Sequence, residues 1–548
     1  MKFLKVLVFV FSPAAAVFAG GLDFKVLSPL PVQDGGRVKP MDTFAREGVR
    51  LITGHETYEG RSAMDILWDW LAHPDLWEKK DFILVENLEL RSLLGVPRDQ
   101  KRVSPGMLSR HEEFMIFARA SYDKEQKKMT LNAMETESLE VMGRLQRLGE
   151  IESGDALCLI PVPEPQGQRW ASLGDLQRSH HQEVSKAPEN SREILLAFSR
   201  ILQSYDRGNA PDFVRDSQNL SGLLTQIGGK DYEKAFGSQM SREVHFNSLK
   251  PFRLAWMINL GVLLLTGVSF LFNLPKLYKA GLVLFAMGIL MSAYGFLLRC
   301  LIAGRPPVSN MYESLIWVTF GMTVFALVFE MIFKSRQFVA AGSVLALVGF
   351  VLADNVPTIL NSAIQPLEPV LRSNFWLTIH VLTITLSYGA FFLSLGLGHL
   401  CLWTLWKYSG DRERLQNQTK LLYRIVQVGV VLLAAGTILG GVWANYSWGR
   451  FWGWDPKETW ALIALLGYVA ILHGRLAGWL RERGFIIGVV GAFLGVLMAW
   501  YGVNFILGVG LHSYGFSKGG LPYVMTFVGL EIILLVIVAF KSRKANRP

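Results

Sequence analysis

Trp443, Trp448, Trp452, Trp454 and Trp460 fall within eighteen residues, in the run Trp443-Ala-Asn-Tyr-Ser-Trp448-Gly-Arg-Phe-Trp452-Gly-Trp454-Asp-Pro-Lys-Glu-Thr-Trp460. Aromatic faces supply apolar stacking area, so this crowding between two apolar stretches suits a large planar ligand. Gly449 and Gly453 interleave with the rings, and glycine lets the backbone approach whatever the rings hold. An interfacial aromatic belt is the alternative, because tryptophan favours the headgroup level of a bilayer. A belt, however, spreads one or two aromatics per span, whereas four of these rings crowd one loop. Asp455-Pro-Lys-Glu458 reads as a helix start, with Asp as N-cap, Pro in the first turn and Glu three residues after the cap.

Only four of the ten histidines lie beyond residue 250: His380, His399, His473 and His512. His380 sits about one turn inside an apolar run, and His512 in a short loop, Gly510-Leu-His-Ser-Tyr-Gly. Both fall on the face that carries the tryptophans. Neutral imidazole is a favoured axial ligand of haem iron, and two imidazoles give a six-coordinate site with no open position. Each could equally be an interfacial histidine bonded to water or backbone. His473 follows Glu458 by fifteen residues and so lies roughly 22 Å deeper at the helical rise, while His399 lies roughly 28 Å below His380. Ionisable groups at such depths are functional by default, or else mark the inner interface, the reading preferred for His399. No HExxH, GxSxG or Walker loop occurs, so metalloprotease, hydrolase and ATPase readings lack support, and no catalytic residue is assigned.

Positioning these groups falls to a strongly apolar C-terminal half. Nine spans are expected, at 253–273, 277–302, 312–333, 338–354, 376–405, 421–442, 458–475, 484–507 and 523–540. The first twenty residues carry Lys2 and Lys5, an apolar run and small residues, which reads as a signal peptide over 1–19, with an uncleaved anchor as the alternative. Residues 20–250 are then exported and the spans alternate from there. The inner loops and tail hold fifteen lysines and arginines and the outer loops five, the bias expected of that orientation. The net charge of +10 is therefore assigned to membrane orientation and not to nucleic acid.

The expected fold is an all-α polytopic membrane protein of about nine transmembrane helices, 251–548, preceded by a soluble exported domain of mixed or mainly α structure, 20–250. Within that domain 133–148 reads as helix and Asp155-Ala-Leu-Cys-Leu-Ile-Pro as a short strand, while Gln166–Asn190 reads as polar loop. Cys158, Cys300 and Cys401 form neither CxxC nor CxxCH, so there is no disulfide framework and the chain is not itself a c-type cytochrome.

The segment Trp448-Gly-Arg-Phe-Trp-Gly-Trp-Asp-Pro-Lys-Glu-Thr-Trp resembles the tryptophan-rich WWD signature of haem-handling membrane proteins, above all the CcsA/ResC component of the system II cytochrome c synthase. Pro307-Val-Ser-Asn-Met-Tyr-Glu-Ser, His380, Leu472-His473-Gly-Arg, Tyr501-Gly-Val-Asn-Phe and Gly510-Leu-His512-Ser-Tyr-Gly match in order and spacing over roughly 255–540. Leu30-Pro-Val-Gln-Asp-Gly-Gly-Arg-Val-Lys-Pro-Met-Asp-Thr also resembles the exported region that precedes this module in longer, fused synthases.

The resemblance implies that haem b is bound at Trp448, Trp452 and Trp454, with His380 and His512 as axial ligands, for thioether attachment to the CxxCH of apocytochrome c. His473 matches one histidine of a membrane-embedded pair, the other belonging to a CcsB/ResB-like subunit. The chain would thus be a synthase subunit of the haem-lyase type in the bacterial inner membrane, with its site facing the periplasm. A haem exporter or relay serving a separate chaperone, and a non-haem membrane assembly protein, are the alternatives. Arg450 and Lys457 could meet the haem propionates or lipid headgroups. Asp455 and Glu458 are read as caps that orient the loop and do not touch iron.

Overall fold

The computed structural model describes residues 22–161, 169–181, 191–356, 360–367, 373–408, 411–508, 512 and 520–544. The signal segment expected over 1–19 lies outside them. Two compact units divide between Asn247 and Ser248.

The N-terminal unit is mainly helical, with three short antiparallel strand pairs among its described residues. Pro31–Asp34 pairs with Arg37–Pro40 through a two-residue turn in which Gly35 and Gly36 take φ of 59° and 78°, the left-handed values that a tight hairpin of this twist requires. The helix expected over 133–148 runs Ala133–Glu152 and starts from a reciprocal capping box between Asn132 and Glu135. Cys158–Ile160 forms the expected strand and pairs with Ala171–Ser172. The polar stretch Gln166–Asn190 departs from its reading as loop, because Leu173–His181 is a helix. Ser172 and Asp175 exchange side-chain-to-backbone hydrogen bonds at 3.0 Å, so the cap, and not apolar periodicity, starts that helix. Trp68, Trp70, Trp77 and Phe82 fill the core.

The second unit is a bundle of long apolar helices. Nine helices in the described residues are long and apolar enough to cross a membrane, making this a multi-pass membrane protein. In chain order they are Pro251–Phe272, Pro275–Ala303, Met311–Phe333, Gln337–Asn355, Asn374–Lys407, Arg412–Trp448, Pro456–Leu476, Glu482–Leu507 and Leu521–Phe540. The sixth runs past its expected end at residue 442, since nothing from Trp443 to Trp448 breaks a helix. It stops only at Gly449, which takes φ 70°. Trp443 and Trp448 therefore ride on the last turns of a helix and not in a loop.

Small residues set the helix spacing. A Cβ on Gly436 would come within 2.7 Å of Ile384 Cβ, and one on Gly440 within 2.7 Å of His380 Cε1. Two glycines four apart on the sixth helix thus let the fifth lie against it, the small-residue packing that membranes favour where no hydrophobic force separates helix from lipid. Two spans also widen into π-helical turns, at Leu377–Val381 in the fifth and Met498–Leu507 in the eighth. Such turns re-aim side chains and recur at functional sites.

Candidate functional site

One end of the membrane unit holds a cavity of about 1120 Å³, its open mouth included. His380, His512, Trp443, Trp448, Trp452 and Lys457 line it, together with residues of the third span and of the π-helical part of the eighth. Five spans and the connections that carry Trp452 and His512 converge here, and the site exists only because they pack.

His380 projects from the π-helical turn of the fifth span. Its Nδ1 lies 2.8 Å from the Gly436 carbonyl oxygen. A carbonyl only accepts, so Nδ1 carries the hydrogen and Nε2 keeps its lone pair. The indole of Trp443 meets the imidazole edge-on at 5.6 Å and stacks parallel on Trp376 at 6.4 Å. Trp443 is 8% exposed, so it holds the histidine ring from behind.

His512 reaches the same cavity from the connection between the eighth and ninth spans. Its Nδ1 lies 2.9 Å from Asp455 Oδ1, and Trp448 meets the ring at 5.1 Å and 89°. Burial holds this imidazole below the usual histidine range, against the pull of the Asp455 carboxylate toward the charged form. A neutral imidazole with Nδ1–H engaged is the form in which histidine ligates a metal. Neither His380 Nε2 nor His512 Nε2 has a hydrogen-bond partner among the described residues.

The tryptophan connection is braced from within. Asp455 and Glu458 form a reciprocal capping box at the start of the seventh span, with Pro456 in the first turn. Caps of this kind contribute about 1 kcal/mol each. Glu458 also accepts from the Gly453 N–H at 2.8 Å and pairs with Arg450 at 3.4 Å, which ties the connection down at a third point. Lys457 Nζ reaches Asn504 Oδ1 at 3.2 Å on the cavity wall. Of the two cations in this segment, Lys457 faces the cavity, whereas Arg450 is paired with Glu458.

The tryptophans divide by role. Trp443, Trp448 and Trp452 line the cavity, while Trp454 is not among its lining residues and is 69% exposed. Trp454 also takes φ 58°, a costly backbone state for a bulky residue, of order 1–3 kcal/mol. It touches Trp452 edge-on at 5.9 Å and remains open to solvent or a partner.

The other two histidines lie elsewhere. His473 is exposed on the seventh span, its Nδ1 hydrogen donated to the Val469 carbonyl at 2.8 Å. His399 has both nitrogens engaged, with Leu395 O at 2.8 Å and Glu531 Oε1 at 3.0 Å. That ion-pair geometry gives His399 a partner in the last span that its reading as an inner-interface residue did not anticipate.

Sequence reasoning missed Gly436 and Gly440, quoted Asn504 and Glu313 only inside matched motifs without a role, and missed the support behind the third span. There Glu313 is fully buried between Arg299 at 2.8 Å and Arg305 at 3.1 Å, and it also holds Ser309. This network pins the turn before Met311, whose residues form one wall of the cavity. Two glycines four apart in an apolar run were a readable signal for close helix contact. Of the Arg–Glu–Arg network only Glu313 fell within a matched motif, and Arg299 and Arg305 had no signal, since they sit at span ends, where charge is ordinary.

Residues 308–512 match the family model described as cytochrome C assembly protein, a stretch that ends on His512. Over 501 residues the chain is 30% identical to Protein NrfI of Wolinella succinogenes, covering 87% of this chain and 53% of that protein. It is 34% identical over 316 residues to the cytochrome c biogenesis protein CcsA of Prochlorococcus marinus, covering 50% of this chain and 96% of that protein. Identity to the CcsA of a Synechococcus strain is 38% over 268 residues, covering 84% of that protein. The chain thus spans nearly the whole of the CcsA relatives but only about half the length of NrfI. An alignment covering 87% of the chain also takes in much of the N-terminal unit.

Proposed function

Because the chain belongs to the CcsA-type family of cytochrome c assembly proteins and serves cytochrome c biogenesis, we propose that its cavity holds haem b for covalent attachment to apocytochrome c. The observation that carries this reading is the pair His380 and His512. They come from separate elements, line one cavity, and each has its Nδ1 hydrogen engaged and its Nε2 unpartnered among the described residues. Two such nitrogens suit the axial positions of one iron. Trp443, Trp448 and Trp452 offer the apolar faces a porphyrin needs, and Lys457 is the cation nearest to hand for a propionate.

In this reading the protein's work is to hold and present its substrate. Ligation from both sides leaves no open iron position while the CxxCH thiols add across the haem vinyl groups. Each addition forms one carbon–sulfur bond and transfers the thiol hydrogen to the neighbouring vinyl carbon. The exposed Trp454 stands where an incoming apocytochrome segment would meet the site. The site faces the periplasm of a bacterial inner membrane, which the fifteen-to-five excess of lysine and arginine in the opposite loops supports. A CcsB/ResB-like subunit completes the synthase, and His473 on the outside of the seventh span serves a second haem position on the way through the membrane.

Absorption spectra of protein purified from membranes test the reading. Wild type should carry six-coordinate low-spin haem, and His380→Ala and His512→Ala should each lose or weaken that spectrum. Unchanged spectra in both variants would overturn the assignment.

A further inference from the structure

The two cavity histidines stand in different electrostatic company. His380 gives its Nδ1 hydrogen to a neutral carbonyl, Gly436 O at 2.8 Å. His512 gives its own to a carboxylate, Asp455 Oδ1 at 2.9 Å, whose side chain is only 3% exposed. The same oxygen accepts the Lys457 backbone N–H at 3.0 Å as the N-cap of the seventh span. Asp455 is thus fixed by a helix and not by the connection that carries His512. The positive end of that helix favours its anionic form.

Resting on the haem-ligand reading above, we propose that Asp455 is a positioning residue for His512, one that orients its ring and makes it the stronger of two unequal donors to the iron. A carboxylate accepting from the far nitrogen of a ligating imidazole fixes the tautomer, orients the ring and raises its basicity. A more basic axial imidazole stabilises the ferric state, so bound haem should have a lower reduction potential than a pair of carbonyl-bonded histidines would give. His380 lacks this support. Helix capping alone predicts no such electronic effect, and that difference separates the two roles of Asp455.

The test uses the full chain purified with its haem, comparing Asp455→Asn, Asp455→Ser and Glu458→Gln by midpoint potential and low-spin absorption. Asparagine and serine both cap helices well, so each keeps the helix start while removing the charge. Both should retain low-spin haem and move its potential to a more positive value. Glu458→Gln alters the same capping box without touching His512 and should give a smaller shift. A wild-type potential in both Asp455 variants, or an equal shift in Glu458→Gln, would defeat the proposal. Loss of the low-spin spectrum in His512→Ala alongside that result would leave the haem reading standing. Unaltered spectra in both His380→Ala and His512→Ala would remove the haem reading itself.

Discussion

His73 in the N-terminal unit and His380 in the membrane unit begin alike, each with Nδ1 engaged at 2.8 Å, and they part at the second nitrogen. His73 Nε2 meets Asp206 at 2.9 Å while Nδ1 meets Asp69, so the ring bridges two helices and has nothing left to offer. Arg61 and Trp77 complete the Asp69 cluster at its other oxygen. His380 is held just as firmly but keeps Nε2 for the cavity. Within the membrane unit His399 sides with His73, because Glu531 takes its second nitrogen. A histidine is thus a strut or a ligand according to whether a second acceptor reaches it, and nothing local to the residue decides which.

The most severe break in this contrast is expected at Gly440. A Cβ there would lie 2.7 Å from His380 Cε1, so Gly440→Leu should drive the ring from the cavity and abolish haem binding without unfolding the bundle. Haem-to-protein ratio in purified membranes checks this, and a wild-type ratio would show that His380 does not need that space. His473→Ala should be milder, lowering haem loading, with free imidazole during growth restoring part of it. Unaffected haem content would remove the inner position from the route.

His73→Leu sharpens the comparison from the other side, since the haem spectrum should not change while the N-terminal unit loses stability. Hydrogen bonding to Asp206, reinforced by Asp69, raises the His73 imidazole above its ordinary value. A raised folded value means the clamp contributes fully below the unfolded pKa of about 6.5 and fades as pH rises through the folded value. The gap in thermal midpoint between wild type and His73→Leu should therefore be wider at pH 6 than at pH 8.5. An equal gap at both would show that the bridge works without charge. The smallest effect belongs to Glu531→Gln, which keeps a hydrogen-bonding partner for His399. Stability should fall by about 0.6 kcal/mol, as for an ordinary interhelical hydrogen bond, with the low-spin spectrum unaltered. A lost spectrum would make His399 more than a strut.

Much of the architecture was readable because it is local. Twenty-residue apolar runs specify spans whatever they pack against, and Asp455-Pro-Lys-Glu458 specifies a helix start within four residues. The sixth span shows where such reading stops. Aromatic crowding and flanking glycines pointed to a loop from residue 443, yet the helix continues to Trp448 because a chain with no breaker keeps its backbone hydrogen bonds until Gly449.

Residue types and spacing in this chain determined the nine spans, the capped turn and the four histidines from which a site could be made. Tertiary packing alone decided which of those histidines keep a nitrogen for a ligand. His380 finds Gly436 at a separation of 56 residues and His512 finds Asp455 at 57, and no window on the sequence spans either bond. The physical reason is that ligation depends on the acceptor behind the ring and the space in front of it, and both are supplied by other helices.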